Sequence, residues 1–225
     1  MSSIIASESS RLEGFIEVPG DKSISHRAVM LGAIAVGESK IQHLLEGEDV
    51  LATVAALRAM GVEISGPRGG SLEIKGVGLN GLTKPVSALD MGNSGTAMRL
   101  LAGLLAGQAF PATLTGDASL RQRPMERIIT PLTQMGADLG ATGGKPPLVI
   151  NPVSGLKGIS YQLPMASAQV KSSILLAGLY AKGGTQVYES TPTRDHTERM
   201  IAGFTGQSWE QGNPICVASG LMLNG

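Results

Sequence analysis

Ser25–Gly37 (SHRAVMLGAIAVG), Gly95–Gly107 (GTAMRLLAGLLAG) and Gln169–Gly183 (QVKSSILLAGLYAKG) are three versions of one helical segment rich in Leu, Ala and Gly. Their cores align on Gly32, Gly103 and Gly178, which lie 71 and 75 residues apart. Self-similarity at a near-constant period marks a repeated supersecondary unit. Each segment is followed by a second periodic stretch that ends in glycine: Asp49–Gly61, Met125–Gly136 and His196–Gly206. Those glycines read as helix C-caps. Two short strand-like pieces come next in each unit: Val62–Ser65 with Ser71–Lys75, Ala137–Leu139 with Leu148–Asn151, and Gln207–Glu210 with Pro214–Ala218. A Gly-Leu pair closes every unit, at Gly78-Leu79, Gly155-Leu156 and Gly220-Leu221.

The unit is therefore strand, helix, strand, helix and two strands, used three times, and the fold class is α/β. The first helices are apolar nearly all round, which places them in an interior. The second helices carry Arg58, Glu126, Arg127, Glu198 and Arg199 between apolar positions and are expected on the outside. A single body over residues 15–225 follows, with repeats at about 15–85, 86–158 and 159–225. Residues 1–14 are read as a strand or linker outside it.

Composition narrows the function. Eighteen Lys+Arg balance 18 Asp+Glu, so no global field favours nucleic acid or an anionic membrane. Aromatic residues make up 3%, which leaves no ring platforms for stacking bases. A hydrophobic content of 42% and a mean hydropathy of +0.14 support a full core and exclude disorder. Cys216 is the single cysteine, which excludes an intrachain disulfide and a cysteine-based zinc site. Leu100–Gly107 and Ile174–Ala181 fall far short of the roughly 20 residues of a membrane span. Met1–Ser10 has neither a basic flank nor an apolar core segment, so no leader is expected and the cytoplasm is the expected compartment.

The chemistry sits where the inner helices begin. Gly20-Asp21-Lys22-Ser23-Ile24-Ser25-His26-Arg27 puts cations and hydroxyls at a helix amino end, where free N–H groups and the dipole favour anions. A helix starting near Ser23 makes Ser23 and Arg27 neighbours at i, i+4. The competing reading is a plain cap by Asp21 or Ser23, with Lys22 and Arg27 in solvent. The second entrance, Gly92-Asn93-Ser94-Gly95-Thr96-Ala97-Met98-Arg99, allows close backbone approach at its glycines and matches no nucleotide-binding loop. The third, Ser167-Ala168-Gln169-Val170-Lys171-Ser172, clusters a serine, an amide and an ammonium. Arg121-Gln122-Arg123-Pro124 and Thr193-Arg194-Asp195-His196-Thr197-Glu198 place arginines before outer helices, and proline holds Arg123 in extended backbone. Asp195 or Thr197 reads as a cap there, and Arg194 as a partner of Asp195. His26 and His196 have no partners at metal-ligand spacing and read as structural. Lys22, Arg27, Arg123, Lys171 and Arg194 are the candidate cations of one positive cleft for a small, multiply anionic ligand.

These five motifs, in this order, resemble the signatures of the 5-enolpyruvylshikimate-3-phosphate synthase family over about Gly14–Gly225. The resemblance implies the fold of one lobe of the enolpyruvyl transferases: three βαβαββ repeats about a pseudo-threefold axis with buried inner helices. It implies the shikimate-pathway step toward chorismate and the aromatic amino acids in which phosphoenolpyruvate gives its enolpyruvyl group to the 5-hydroxyl of shikimate 3-phosphate. Phosphate leaves, and no metal or organic cofactor takes part. Carried over by motif, Lys22, Ser23, Arg27, Ser167, Ala168, Gln169 and Arg194 bind shikimate 3-phosphate, Ala168 through its backbone. Lys22, Gly95, Arg123 and Gln169 meet phosphoenolpyruvate, and Lys22 is the catalytic residue. Relatives run to roughly twice this length, and their carboxyl-terminal lobe carries an essential Asp, Glu and Lys. The chain is thus expected to fold alone, to need that lobe as its partner, and to be inactive without it. Two alternatives are a non-catalytic anion-binding lobe and a relative of the transferase acting on UDP-N-acetylglucosamine, whose catalytic cysteine loop is not found here.

Overall fold

The computed structural model describes residues 5, 11, 13–208 and 212–225. The first unit contains α1 (Lys22–Ile34), β1 (Val36–Ile41), α2 (Glu48–Ala59), β2 (Glu63–Arg68) and β3 (Ser71–Val77). The second runs β4 (Leu89–Asp90), α3 (Gly95–Leu105), β5 (Ala112–Thr115), a 3-10 turn (Leu120–Gln122), α4 (Glu126–Gln134), β6 (Asp138–Thr142) and β7 (Lys145–Asn151). The third contains β8 (Leu156–Lys157), β9 (Ser160–Gln162), α5 (Ala168–Gly178), β10 (Ala181–Lys182), β11 (Thr185–Tyr188), α6 (His196–Thr205) and β12 (Ile215–Val217).

The inner helices α1, α3 and α5 start on equivalent caps. Asp21 Oδ1 accepts from Ile24 N at 2.8 Å, Ser94 Oγ from Ala97 N at 3.1 Å and Ser167 Oγ from Val170 N at 3.4 Å. Each cap satisfies one orphan donor of the first turn, worth about 1 kcal/mol. Asp21, Ser94 and Ser167 are spaced 73 and 73 residues apart, a stricter period than the glycines keep. The outer helices end on Gly61, Gly136 and Gly206 with φ of +87°, +89° and +67°, the left-handed conformation expected of C-cap glycines.

Met30, Leu31, Ile34, Met98, Leu100, Leu101, Ile174 and Leu175 are fully buried, so α1, α3 and α5 form the interior. Gly103 brings α3 and α5 together: a Cβ there would lie 2.1 Å from the carbonyl oxygen of Ser173. Gly32 and Gly178 hold the matching positions of α1 and α5, where a Cβ would come within 3.1 Å of Ile74 Cδ1 and of Thr185 Cβ. The aligned glycines of the repeat thus all lie at tight contacts, and Gly103, against main chain, is the tightest of the three.

The three sheets differ in completeness. The second is whole, in the order β4-β5-β7-β6, with β4 parallel to β5 and the other pairs antiparallel. The third has the order β9-β11-β12, with β9 parallel to β11. Its fourth strand, expected at Gln207–Glu210, is not formed at 207 and 208, and the rest lies outside the described residues. β8 and β10 add a small parallel pair. The first sheet has the order β1-β3-β2, all antiparallel. The expected opening strand of the first unit is absent from residues 13–21. Its place beside β1 is taken from the other end of the chain: Val36 pairs in parallel with Asn224, Val36 N donates to Leu223 O at 2.8 Å, and Gly225 N donates to Val36 O at 2.8 Å. The expected linker at 1–14 lies almost wholly outside the described residues.

Replacing Gly103 with alanine pushes a methyl group into main chain that cannot move aside. A loss of about 2–3 kcal/mol is expected for G103A, read from the midpoint of urea unfolding.

Candidate functional site

The amino ends of four helices meet at one cavity of about 210 Å³. It is lined by Ser23 and Arg27 from α1, Thr96 from α3, Ser167, Ala168 and Gln169 from the start of α5, and Arg194 and His196 from the start of α6. Two guanidinium groups and several hydroxyl, amide and helix-end donors line it, and among the described residues no carboxylate does. Such a surface is chemically suited to an oxyanion, because its donors and charge are fixed in place.

Arg27 is buried and anchored on three sides. Its Nε donates to Thr197 Oγ1 at 2.6 Å, one terminal nitrogen to the Ser23 carbonyl at 2.9 Å, and the other to Ser172 Oγ at 2.7 Å. Thr197 in turn donates to Ser172 at 2.7 Å. Burial lowers the Arg27 pKa to about 10, so the group keeps its charge at neutral pH. Arg194 is exposed, and its guanidinium reaches Ser23 Oγ at 3.3 Å.

A second group continues from Gln169. Its amide nitrogen donates to Thr96 Oγ1 at 2.8 Å, and its oxygen accepts from Arg99 at 2.9 Å. Arg99 also donates to the carbonyls of Gly95 (3.3 Å) and Pro124 (3.2 Å). Burial, and then the nearby charges of Arg123 and Arg127, lower its pKa. Arg123 has the extended backbone expected before proline (φ −78°, ψ 134°) and donates to Asn93, which donates to Asp117 at 2.7 Å. A Cβ on Gly95 would meet Arg99 at 2.8 Å and Arg123 at 3.1 Å. Gly95, Arg123 and Gln169 therefore belong to one connected patch beside the cavity. Lys22 is next to Ser23 at the start of α1, with Nζ held by Asp49 Oδ2 at 2.6 Å.

Lys171 departs from the sequence reading. It is not a cleft cation: its side chain is 1% exposed and lies between Glu189 Oε2 (2.9 Å) and Glu198 Oε1 (2.6 Å), at a separate cavity. Glu198 is likewise buried rather than on an outer helix surface, and desolvation raises its carboxyl pKa against the opposing pull of Lys171. This ion pair joins α5 to α6 directly behind the residues that hold Arg27. Asp195 begins α6 without a side-chain cap bond and accepts from Arg199 Nε at 2.7 Å. Thr197 is no cap either, since its hydroxyl is taken by Arg27 and Ser172. His26 is structural as expected, fully buried between Thr53 Oγ1 (2.8 Å) and Ser94 Oγ (3.2 Å). His196, read as structural, instead lines the cavity. Thr96 and Arg99 were quoted within the second motif but given no role. Their spacing from Gly95 along one helix was the available signal.

A protein-family model described as EPSP synthase (3-phosphoshikimate 1-carboxyvinyltransferase) matches residues 6–217. The chain belongs to the EPSP synthase family. It is 60% identical over 215 residues to the 3-phosphoshikimate 1-carboxyvinyltransferase of Methylococcus capsulatus, covering 95% of this chain and 49% of that protein. It is 64% identical over 194 residues to the enzyme of the same name from Hydrogenovibrio crunogenus, covering 86% and 44%. The structure of EPSP synthase from Acinetobacter baumannii superposes with a TM-score of 0.91 at 57% identity, over 94% of this chain and 48% of that one. The chain spans about half the length of the curated relatives it matches, and its three-repeat α/β fold is that of this EPSP synthase. These matches favour the shikimate branch over the UDP-N-acetylglucosamine one.

Two outcomes are expected from this geometry. Replacing Lys171 with methionine leaves two buried carboxylates without their counterion, so K171M loses about 3–5 kcal/mol, and the K171M/E198Q double variant recovers part of it in urea unfolding. Burial holds the His26 pKa at about 4, against 6.5 for the free side chain. The unfolded chain therefore takes up this proton first as pH falls. The stability tied to neutral His26 is complete above about pH 6.5 and is lost on acidification towards pH 4, by about 3 kcal/mol at most. The stability difference between wild type and H26N shrinks accordingly from pH 7 to pH 4.

Proposed function

We propose that this chain supplies the half-site of a 3-phosphoshikimate 1-carboxyvinyltransferase that binds shikimate 3-phosphate and one side of phosphoenolpyruvate. The observation that carries this reading is the cavity at which four helix amino ends converge with Arg27 and Arg194 and, among the described residues, with no carboxylate in its lining. Ser23, Arg27, Ser167 and Arg194 take the phosphate of shikimate 3-phosphate, while the Ala168 backbone and Gln169 hold its ring. Gly95, Arg123 and the far side of Gln169 take phosphoenolpyruvate, which places the two substrates on either side of one amide. Lys22, beside Ser23 and steadied by Asp49, reaches both and is the catalytic cation.

The reaction joins the 5-hydroxyl oxygen, which gives up its proton, to C2 of phosphoenolpyruvate as its methylene carbon is protonated; phosphate then leaves with its C–O bond electrons, and the new methyl group loses a proton to restore the double bond. The centre formed in between is oxocarbenium-like and flanked by phosphate and carboxylate. Fixed guanidinium groups and helix ends stabilise that arrangement without reorganising. The reaction also needs a general acid and base, which the proposal assigns to the second half of the relatives' length. No metal or organic cofactor enters the scheme, and the cytoplasm is the proposed compartment. Among the described residues no helix is long and apolar enough to cross a membrane.

Calorimetry with shikimate 3-phosphate, with unphosphorylated shikimate as control, tests the reading. Binding is expected for the phosphorylated compound alone, weakened about tenfold or more in R194A, whose side chain is exposed and leaves the fold intact. Phosphate release from the two substrates is expected only when a second-half polypeptide from a relative is added. Turnover by the lone chain, or equal binding of shikimate, would overturn the assignment.

A further inference from the structure

His196 is the first residue of α6 and lines the cavity together with Ser23, Arg27 and Arg194. Its Nδ1 is buried and makes no hydrogen bond among the described residues. An orphaned N–H inside a protein is rarer and costlier than an unused lone pair. The neutral ring therefore keeps its proton off Nδ1 and on Nε2, on the ring edge left to reach the cavity. The surrounding charges keep the ring neutral. Burial and the positive charges of Arg27 and Arg194 disfavour the imidazolium, and Asp21 and Asp195 oppose them more weakly, so the pKa lies below its ordinary value.

We infer that His196 is a further ligand-binding residue: its neutral imidazole donates the Nε2 proton to an oxygen of the phosphate held by Ser23, Arg27 and Arg194. This rests on the functional reading above, and it adds a donor that the motif carry-over did not contain. The role suits a neutral group. Two arginines already supply the positive charge, and a third cation among them would meet their repulsion, whereas an N–H adds direction without charge. Because the ring binds as the neutral form, His196 adds no proton uptake of its own to phosphate binding at neutral pH.

Long-range proton–nitrogen NMR on the ¹⁵N-labelled chain reads the tautomer directly. Nε2 is expected in the protonated range and Nδ1 in the unprotonated range, and inorganic phosphate is expected to move Nε2 while leaving Nδ1 in place. A protonated Nδ1, or an Nε2 signal indifferent to phosphate, overturns the inference. Affinity for shikimate 3-phosphate is expected to fall about tenfold in H196F and to recover most of the loss in H196Q, whose amide nitrogen reaches the Nε2 position. Equal affinity of H196F and wild type also overturns it. The NMR experiment uses phosphate alone, so its failure counts against the His196 donor only. Failure of the wild-type chain to bind shikimate 3-phosphate, with Nε2 still responding to phosphate, counts against the substrate assignment instead.

Discussion

The buried guanidinium of Arg27 is the constraint around which the rest is arranged. It enters from α1 and is held by Ser172 on α5 and Thr197 on α6, so three helix starts from the first and third units are tied to one planar, permanently charged group. A fixed charge of this kind costs desolvation in the empty state and is tolerated because hydroxyls, a carbonyl and the cavity itself solvate it. The Lys171–Glu198 pair is adjacent in sequence to these two anchors, Lys171 just before Ser172 and Glu198 just after Thr197, and braces the same junction from within. The cavity surface is thus an extension of the core rather than an addition to it. Its donors are as rigid as the packing of α1, α3 and α5.

Much of this architecture was legible in the residues. Gly32, Gly103 and Gly178 stood out by their spacing, and the structure puts Gly103 against the main chain of Ser173 and the other two against the side chains of Ile74, Ser39 and Thr185. The terminal glycines of the outer helices were equally readable, since left-handed backbone after a periodic run has one common occupant. What escaped was partnership across the chain. Nothing local to residues 13–21 says that no strand forms there, and nothing local to Leu223–Gly225 says that this segment lies beside Val36. Strand pairing at that distance is a property of the folded chain and not of either local sequence.

The site divides along the same line. Motif residues at helix starts collected as expected because a helix start projects its first turn in one direction, and four starts converge. Lys171 was misplaced for a reason that helix geometry states plainly. It is two residues beyond Gln169, about 200° around α5, so a lysine there turns inward when the glutamine faces the cavity. Glu198 carried no hint of burial, because a carboxylate between apolar residues looks like an outer-face residue until its lysine is located. His196 was read as structural since its value lies in which of its nitrogens is shielded, a feature with no counterpart in spacing.

The chain-end segment beside β1 has a kinetic meaning. The second unit holds every strand of its own sheet and can assemble as soon as it has been synthesised. The first unit, although made before the second, gains its contact beside β1 only when Leu223–Gly225, almost two hundred positions later, arrives. Closure across such a distance is slow compared with local hairpins and helices. The first unit is therefore among the last parts to reach its final form, and until then the main-chain groups of Val36 at the start of β1 stay unpaired on that side.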